Sequence, residues 1–141
     1  MSGVVVDASV IVKWLFPSQT NEPDAEKALQ LFAEIEAERY SVVQPPHWLA
    51  EVAAVAVRID PSTARQKVAA FLELNFATIA SIETYSMACA LSSRLEHHLF
   101  DTLYHAVALV VDDSLLITAD ERYYQKAKTI GCIVLLSDFQ T

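Results

Sequence analysis

The sequence predicts an α/β fold, a three-layer α/β/α sandwich in which helices cover both faces of a mostly parallel sheet of about five strands. Short runs of valine, leucine and isoleucine alternate along the chain with longer segments whose apolar residues recur at helical spacing. The short runs are apolar throughout, which is typical of parallel strands buried on both faces. With 141 residues, the chain is long enough for one domain with a sizeable core, so we expect a single domain over residues 1–141.

The first half of the chain begins with a predicted strand at residues 4–6 and a helix at residues 8–16, which Pro17 ends. A polar loop is expected at residues 18–23. Residues 24–38 carry apolar side chains at helical spacing and therefore predict a second helix. The predicted order up to this point is strand, helix, loop, helix.

Prolines mark the starts of the next two predicted helices. After a brief strand at residues 42–43, Pro46 suits the first position of the helix that carries Glu51. Asp60 followed by Pro61 is typical of a helix cap and the first helical position, so another helix is predicted to reach residue 74.

The second half continues the alternation of strands and helices. Residues 84–97 predict a helix whose inward face carries apolar side chains, namely Met87, Ala90, Leu91 and Leu95. The other predicted elements are strands at 77–82, 115–117 and 133–136 and helices at 101–111 and 121–129, the last ended by Gly131.

The composition is apolar for a water-soluble monomer, with 53% hydrophobic residues and a mean hydropathy of +0.29. We therefore expect part of the surface to be buried against another chain, in an oligomer or with a partner. No apolar stretch approaches the roughly 18 residues of a membrane span, and the N-terminus lacks the basic start of a signal peptide. Cys89 and Cys132 are too few for a disulfide framework, so we expect two reduced, buried thiols in a cytoplasmic protein.

The net charge of −8 argues against broad, nonspecific attraction to nucleic acid. A simple basic-patch binder is therefore disfavoured. An enzyme that acts on phosphates through a bound cation remains compatible with this charge, because the cation would offset part of it.

Four acidic residues stand where apolar segments begin, end or continue. Glu51 lies among the apolar residues of a predicted helix, where a buried carboxylate is costly unless a positive charge meets it. Asp7 and Asp120 follow predicted strands, beyond whose carboxyl ends ligands bind in such sheets, and Asp101 opens a predicted helix. Gathered carboxylates repel one another unless a cation compensates them, and Mg²⁺ and Mn²⁺ prefer oxygen ligands. The pattern predicts a divalent-cation site.

Each of these acids also has a structural interpretation, which stays open from the sequence. The three aspartates lie at predicted helix N-termini, where an acid caps free N–H groups. Glu51 could instead occupy an exposed side of its helix. Ser9 and Thr118, each two residues from an acid, could add hydroxyl groups to a water network at the site, or could simply bond within local turns.

The remaining polar and aromatic residues give weaker signals. The histidines near Asp101, which are His97, His98 and His105, do not have zinc-module spacing and are expected at helix ends or partly exposed. Lys13 and Arg122 are candidate phosphate contacts, although ordinary solvated cations are slightly favoured. A group of apolar side chains is interpreted as core or protein interface and not as a base-stacking platform: Trp14, Phe16, Leu29 and Phe32.

Four segments contain the four acids with their neighbours: Val-Val-Asp7-Ala-Ser9, Pro-Pro-His-Trp-Leu-Ala-Glu51-Val, Phe-Asp101-Thr-Leu-Tyr-His-Ala-Val-Ala and Ile-Thr118-Ala-Asp120-Glu-Arg-Tyr. Together these segments resemble the PIN domain family over nearly the whole chain, and closely resemble its single-domain VapC-type toxins. The resemblance implies that the four acids form the family's acidic quartet, with Ser9 and Thr118 at its accompanying hydroxyl positions. Asp112-Asp113 departs from it, standing where relatives commonly have a glycine-containing turn.

The resemblance also implies an activity and partners. It implies an Mg²⁺- or Mn²⁺-dependent endoribonuclease whose products carry 5′-phosphate and 3′-hydroxyl ends, a homodimer, and inhibition by a cognate antitoxin. The alternatives are a nuclease that is not a toxin, a catalytically silent binding module, and a hydrolase or phosphotransferase with an aspartyl nucleophile at Asp7. The last commonly needs a second acid two residues on, where Ser9 stands.

Overall fold

A computed structural model of the chain describes residues 2–17 and 24–140, so the loop predicted at 18–23 lies outside the described residues. The strands are β1 (Ser2–Val6), β2 (Tyr40–Gln44), β3 (Ala77–Thr78), β4 (Ser114–Thr118) and β5 (Ile133–Leu135). They form one sheet in the order β3-β2-β1-β4-β5, and every neighbouring pair is parallel. The predicted α/β class is confirmed, with a sheet that is parallel throughout this part of the chain.

Helices connect these strands. They are α1 (Ala8–Leu15), α2 (Asp24–Glu36), α3 (Trp48–Ile59), α4 (Pro61–Leu72), α5 (Ile82–Leu95), α6 (Leu99–Val110) and α7 (Glu121–Ala127). A short 3-10 helix, Leu136–Asp138, follows β5.

The strand order places α1 to α4 and α5 to α7 on opposite faces of the sheet. The chain moves from β1 to β2 to β3 in one direction, then crosses to β4 and β5 in the other. Because crossovers between parallel strands are right-handed, the reversal changes the face on which the helices lie. The reversal occurs between β1 and β4, and ligands bind beyond the carboxyl ends of the strands at such a point.

Several predicted boundaries are wrong, and local hydrogen bonds explain them. The strand predicted at 77–82 is only two residues long, because the Ser81 hydroxyl accepts a hydrogen bond from the Thr84 N–H and starts α5 early. Helix α6 begins at Leu99, capped by the His98 side chain, so Asp101 lies in its first turn and does not cap it. Helix α3 begins at Trp48 and not at Pro46.

The core lies between the sheet and its helices, and most of the predicted apolar residues contribute to it. Trp14 and Phe16 are buried, and Trp14 packs against Phe32, whereas Leu29 is 43% exposed. The apolar group of Trp14, Phe16, Leu29 and Phe32 therefore belongs to the core, except for Leu29. None of the helices in the described ranges is long and apolar enough to cross a membrane.

Helix α5 buries only part of the face predicted for it: Leu91 is buried and Leu95 packs against the core, as expected. Met87 and Ala90 are exposed, and the buried residues are Thr84, Ala88 and Leu91. The expectation of buried thiols is also wrong, because Cys89 and Cys132 are both exposed and unpaired with each other. Cys89 lies on the outward side of α5, and Cys132 lies in the turn before β5.

Candidate functional site

The carboxyl ends of β1 and β4 bring Asp7 and Thr118 together. Asp7 follows the last residue of β1, and its N–H donates to the Ile117 carbonyl of β4 at 3.0 Å. Its Oδ2 accepts hydrogen bonds from the Ser9 hydroxyl at 2.5 Å, the Ser9 N–H at 3.2 Å and the Thr118 hydroxyl at 3.2 Å. Asp7 therefore caps α1 and also lies between β1 and β4, where the strand order reverses.

The hydroxyls of Ser9 and Thr118 tie the two strand ends to each other. The Ser9 Oγ accepts from the Ala119 N–H at 3.0 Å, and the Thr118 Oγ1 accepts from the Asp120 N–H at 3.1 Å. Each hydroxyl thus donates to Asp7 and accepts from the backbone after β4. The local bonding considered from the sequence is present, and it fixes the Asp7 carboxylate beside the start of α7.

Gln44 holds the end of β1 from the other side. The ladder between β1 and β2 runs from Ser2 to Val4, two residues short of the end of β1. The Gln44 side chain continues it, because its Oε1 accepts from the Val6 N–H at 2.8 Å and its Nε2 donates to the Val6 carbonyl at 2.9 Å. Gln44 is fully buried, so this amide fixes the residue directly before Asp7.

Glu51 lies in the first turn of α3 and receives a hydrogen bond from α6. Its side chain is 28% exposed, and its Oε1 accepts from the Tyr104 hydroxyl at 2.8 Å. Tyr104 is fully buried and follows Asp101 by three residues, so the two lie on the same side of α6. Helix α6 therefore contributes one acid to the site and orients another.

Asp101 and Asp120 meet on the α6–α7 side of the site, together with His97. Ligand atoms of these three residues all lie within 4.8 Å of one another. The Asp120 side chain also accepts from the Tyr123 N–H at 3.1 Å and caps α7. The Asp101 Oδ2 lies 2.8 Å from the His97 Nε2.

Asp101 links two overlapping groups, one with His97 and Asp120 and the other with Asp7 and Glu51. In the second group, burial raises the pKa of Asp7 to about 6, more than the Ser9 hydroxyl lowers it, and the charge of Asp101 raises it further. Burial likewise raises the pKa of Glu51 to about 7, opposed by the Tyr104 hydroxyl and assisted by the charges of Asp7 and Asp101. Asp101 therefore lies close enough to Asp7 and Glu51 for its charge to act on both carboxyl groups.

Several residues of the site are not among those predicted from the sequence. His97 and Tyr104 both contact acids of the group, and their spacing from Asp101, four residues before and three after, was the available signal. His105 was expected to be partly exposed, and this is wrong: it is fully buried, with its ring nitrogens bonded to the Tyr123 hydroxyl and the Gly131 carbonyl.

The two predicted cations differ in exposure, and a large cavity lies away from the acids. Lys13 is buried, so its description as a solvated cation is wrong, whereas Arg122 is exposed. A cavity of about 540 Å³ opens at the amino-terminal end of the strands, beside Gly3, Tyr40 and Asp113. None of the four acids lines that cavity, so it is separate from the site.

The residues present fit a divalent cation. The gathered oxygen donors are of the kind that Mg²⁺ and Mn²⁺ prefer, and two of the acids have pKa values raised by burial and by their neighbours' charges. A bound cation would relieve that repulsion. Asp7, Asp101, Asp120 and Glu51 are the residues that could hold it, directly or through water.

The sequence model of the PIN domain matches residues 4–129, a segment that contains all four acids. The chain belongs to the PIN domain family. PIN domains are generally nucleases, and PIN nucleases typically use divalent metal ions. The family assignment made from the four sequence segments is confirmed.

Solved structures include a relative of this PIN domain with the same fold. It belongs to a toxin–antitoxin complex from Klebsiella pneumoniae, with a TM-score of 0.63 over 96% of this chain and 98% of that chain. The sequence identity is 19%, so the likeness concerns the fold. No curated protein sequence matches the chain significantly.

Proposed function

We propose that this PIN domain is a metal-dependent endoribonuclease that hydrolyses phosphodiester bonds in single-stranded or loop RNA. One observation carries the proposal: acids from four separate segments lie at the carboxyl ends of β1 and β4, where burial and the charge of Asp101 together raise the pKa values of Asp7 and Glu51. Such a group is costly in the absence of a cation, and a cation there would face a phosphate.

The residues have distinct roles in this proposal. Asp7, Asp101 and Asp120 would hold the metal ion, directly or through water, and Glu51 would position the attacking water. Mg²⁺ or Mn²⁺ at this place would polarise the phosphoryl oxygens and lower the pKa of a bound water. Ser9 and Thr118 fix the Asp7 carboxylate, and the Tyr104 hydroxyl holds one oxygen of Glu51.

Hydrolysis of an RNA panel with Mg²⁺ or Mn²⁺ tests the proposal. Asp7→Asn and Asp101→Asn should each reduce the cleavage rate at least about 10–100-fold, because each removes a ligand charge and such losses exceed those of outer contacts. Asp113→Asn is the matched control, since Asp113 is exposed, far from the site and in a left-handed conformation that asparagine tolerates.

The products provide a second criterion. In the proposed reaction, water attacks the phosphate and the products carry 5′-phosphate and 3′-hydroxyl ends. Products with 2′,3′-cyclic phosphates would indicate attack by the ribose 2′-hydroxyl, a reaction different from the one proposed. Cleavage by both site variants at the wild-type rate would contradict the proposal. Loss of cleavage only in the site variants, and not in Asp113→Asn, would support it.

We further propose a VapC-type toxin that acts in the cytoplasm, as a homodimer bound by an antitoxin. The apolar side chains exposed on α3 to α5 offer surface for a second chain, with Val57, Leu72 and Ile82 between 55% and 84% exposed. Helices α1 and α2 offer less surface of this kind, because Trp14, Phe16 and Phe32 belong to the core. Size-exclusion chromatography of the chain alone and with the product of the adjacent gene tests this: a monomer that binds no such product would remove the toxin role and leave the nuclease.

A further inference from the structure

A chain of hydrogen bonds leads from a lysine to the Asp101 carboxylate. The Lys126 Nζ lies 3.2 Å from the His97 Nδ1, and the His97 Nε2 lies 2.8 Å from the Asp101 Oδ2. The His97 side chain is 11% exposed and the Asp101 side chain 35%. The imidazole therefore stands between a cation and one acid of the site.

The turn before α6 holds His97 in a fixed position. Glu96 ends α5 in a left-handed conformation, with φ of 50°. The His97 N–H then donates to the Ser92 carbonyl at 3.2 Å, and the Ser92 hydroxyl donates to the His97 carbonyl at 2.5 Å. The ring packs edge-on against Tyr123, with 4.8 Å between centroids. Both backbone and ring are thus held by neighbours.

Lys126 determines which ring nitrogen of His97 carries a proton. An ammonium group has only donors, so the Nδ1 facing it must accept. The ring proton consequently sits on Nε2, and Nε2–H donates to Asp101. Lys126 also donates to the Glu96 carbonyl at 3.2 Å, which fixes the ammonium at the carboxyl end of α5.

The contact between Lys126 and His97 distinguishes two roles for His97, which are direct binding of a metal ion and donation of a hydrogen bond to Asp101. The distance between His97 and Asp101 fits both roles. Two neighbouring ligands of an octahedral ion with bonds of about 2.1 Å lie about 3 Å apart, close to the separation of Nε2 and Oδ2. A histidine that binds metal through Nε2 needs an acceptor for its Nδ1–H, and here a cation occupies that position. The arrangement favours His97 as a donor to a ligand.

We propose that His97, backed by Lys126, is a positioning residue that holds the Asp101 Oδ2 and leaves Oδ1 for the metal ion. This inference rests on the proposed metal-dependent function. It assigns a role to two residues outside the acidic quartet, and it makes the affinity of the site for Mn²⁺ depend on a hydrogen bond and not on a further ligand.

Mn²⁺ binding, measured by electron paramagnetic resonance of the free ion, tests the proposal without RNA cleavage. His97→Ala should weaken binding about 10–100-fold, the usual effect of removing a group that orients a ligand. His97→Gln should restore most of the affinity, because its amide nitrogen can donate to Asp101 from the same place. In an Asp101→Asn background, His97→Ala should have no further effect.

Lys126→Met and its matched control, Lys128→Met, test the other end of the chain. Lys128 lies in the same segment but donates to Gln125, at 2.9 Å. Long-range proton–nitrogen NMR spectra should show the Nε2–H form of His97 in wild type and Lys128→Met, and a mixture of the two forms in Lys126→Met. These spectra need no metal.

The outcomes distinguish failure of this inference from failure of the proposed function. If wild type and His97→Ala bind Mn²⁺ with equal affinity, the inference about His97 is wrong and the proposed function is unaffected. His97→Gln as weak as His97→Ala would overturn it too, in favour of direct ligation by the imidazole. An Nδ1–H form in wild type would contradict it whatever the metal result, whereas absence of Mn²⁺ binding and cleavage in wild type would reject the function and the inference together.

Discussion

Asp7 shows at the residue scale that helix capping and metal binding are compatible roles. Its Oδ2 accepts the bonds that cap α1 and those from two hydroxyls. A carboxylate has a second oxygen and further lone pairs, so these bonds do not exhaust its capacity. The sequence could not decide between the two roles, because an aspartate at this position is suited to both.

Glu51→Gln should stabilise the metal-free protein in a manner that depends on pH. The folded-state pKa of about 7 lies above the ordinary value of 4.5, so folding favours the protonated form, and stability is lost as the pH rises through this range. Glutamine resembles that form and can still accept from Tyr104. In EDTA, we expect the free energy of unfolding of the variant to exceed that of wild type by about 1–3 kcal/mol at pH 8. At pH 5 the difference should be less than about 1 kcal/mol.

Urea denaturation at both pH values measures this difference, and Glu73→Gln is the control. Glu73 is exposed at the end of α4, so its variant should match wild type at both pH values. Taking the difference between variant and wild type removes the opposing effect of His105, whose pKa is lowered by burial and which is not in contact with Glu51. A Glu51→Gln effect that is equal at pH 5 and pH 8 would contradict the assigned burial of the charge.

At the element scale, the sequence predicts where strands and helices lie more accurately than it predicts which of their faces are buried. The apolar runs of β1 and β4 mark buried parallel strands, and both were predicted. Helix α5 carries apolar residues on two sides, so periodicity predicted that Leu91 is buried but could not show that Ala88, and not Met87, packs on α6. That choice depends on the neighbouring helix, which the local sequence does not encode.

Some residues of the site can be recognised from the local sequence, whereas others depend on contacts that only the fold creates. Asp7 and Asp120 could be singled out because each follows a strand of a parallel sheet, and Glu51 because it lies among the apolar residues of a helix. The contacts of Gln44 with Val6 and of Tyr104 with Glu51 join residues 38 and 53 positions apart, so no local pattern could reveal them. His97 was discounted because the histidines were compared with zinc modules and not with the carboxylate four residues away.

Gln44→Leu should destabilise the protein through β1. Leucine matches glutamine in size but leaves the Val6 N–H and carbonyl unpaired in the core, and each such buried group costs about 1–3 kcal/mol. We expect a loss of about 2–4 kcal/mol in the free energy of unfolding, measured with urea. Gln30→Leu on the exposed side of α2 is the control and should change stability by less than about 0.5 kcal/mol. Equal stability of the two variants would show that Gln44 does not hold β1.

At the scale of the whole molecule, the sheet topology converts dispersed acids into one group. Asp7 and Asp120 follow β1 and β4, which are adjacent although more than 100 residues separate them in sequence. Helices α3 and α6 then bring Glu51 and Asp101 to the same end of the sheet. The chain's net charge of −8 is thereby partly concentrated at one place, which the folded protein must tolerate or neutralise.

Divalent metal should therefore stabilise the folded protein as a whole. An ion that binds only the folded state at 100 times its Kd adds about 2.7 kcal/mol, which corresponds to a rise in Tm of roughly 5–10 °C for a chain of this size. Thermal unfolding with millimolar Mn²⁺ or Mg²⁺, compared with EDTA, measures the shift. The double variant Asp7→Asn/Asp101→Asn should lose it, while Asp113→Asn should retain it. A shift of the same size in the double variant would place the stabilising ion elsewhere, and no shift in wild type would mean that the converging acids do not form a preformed metal site.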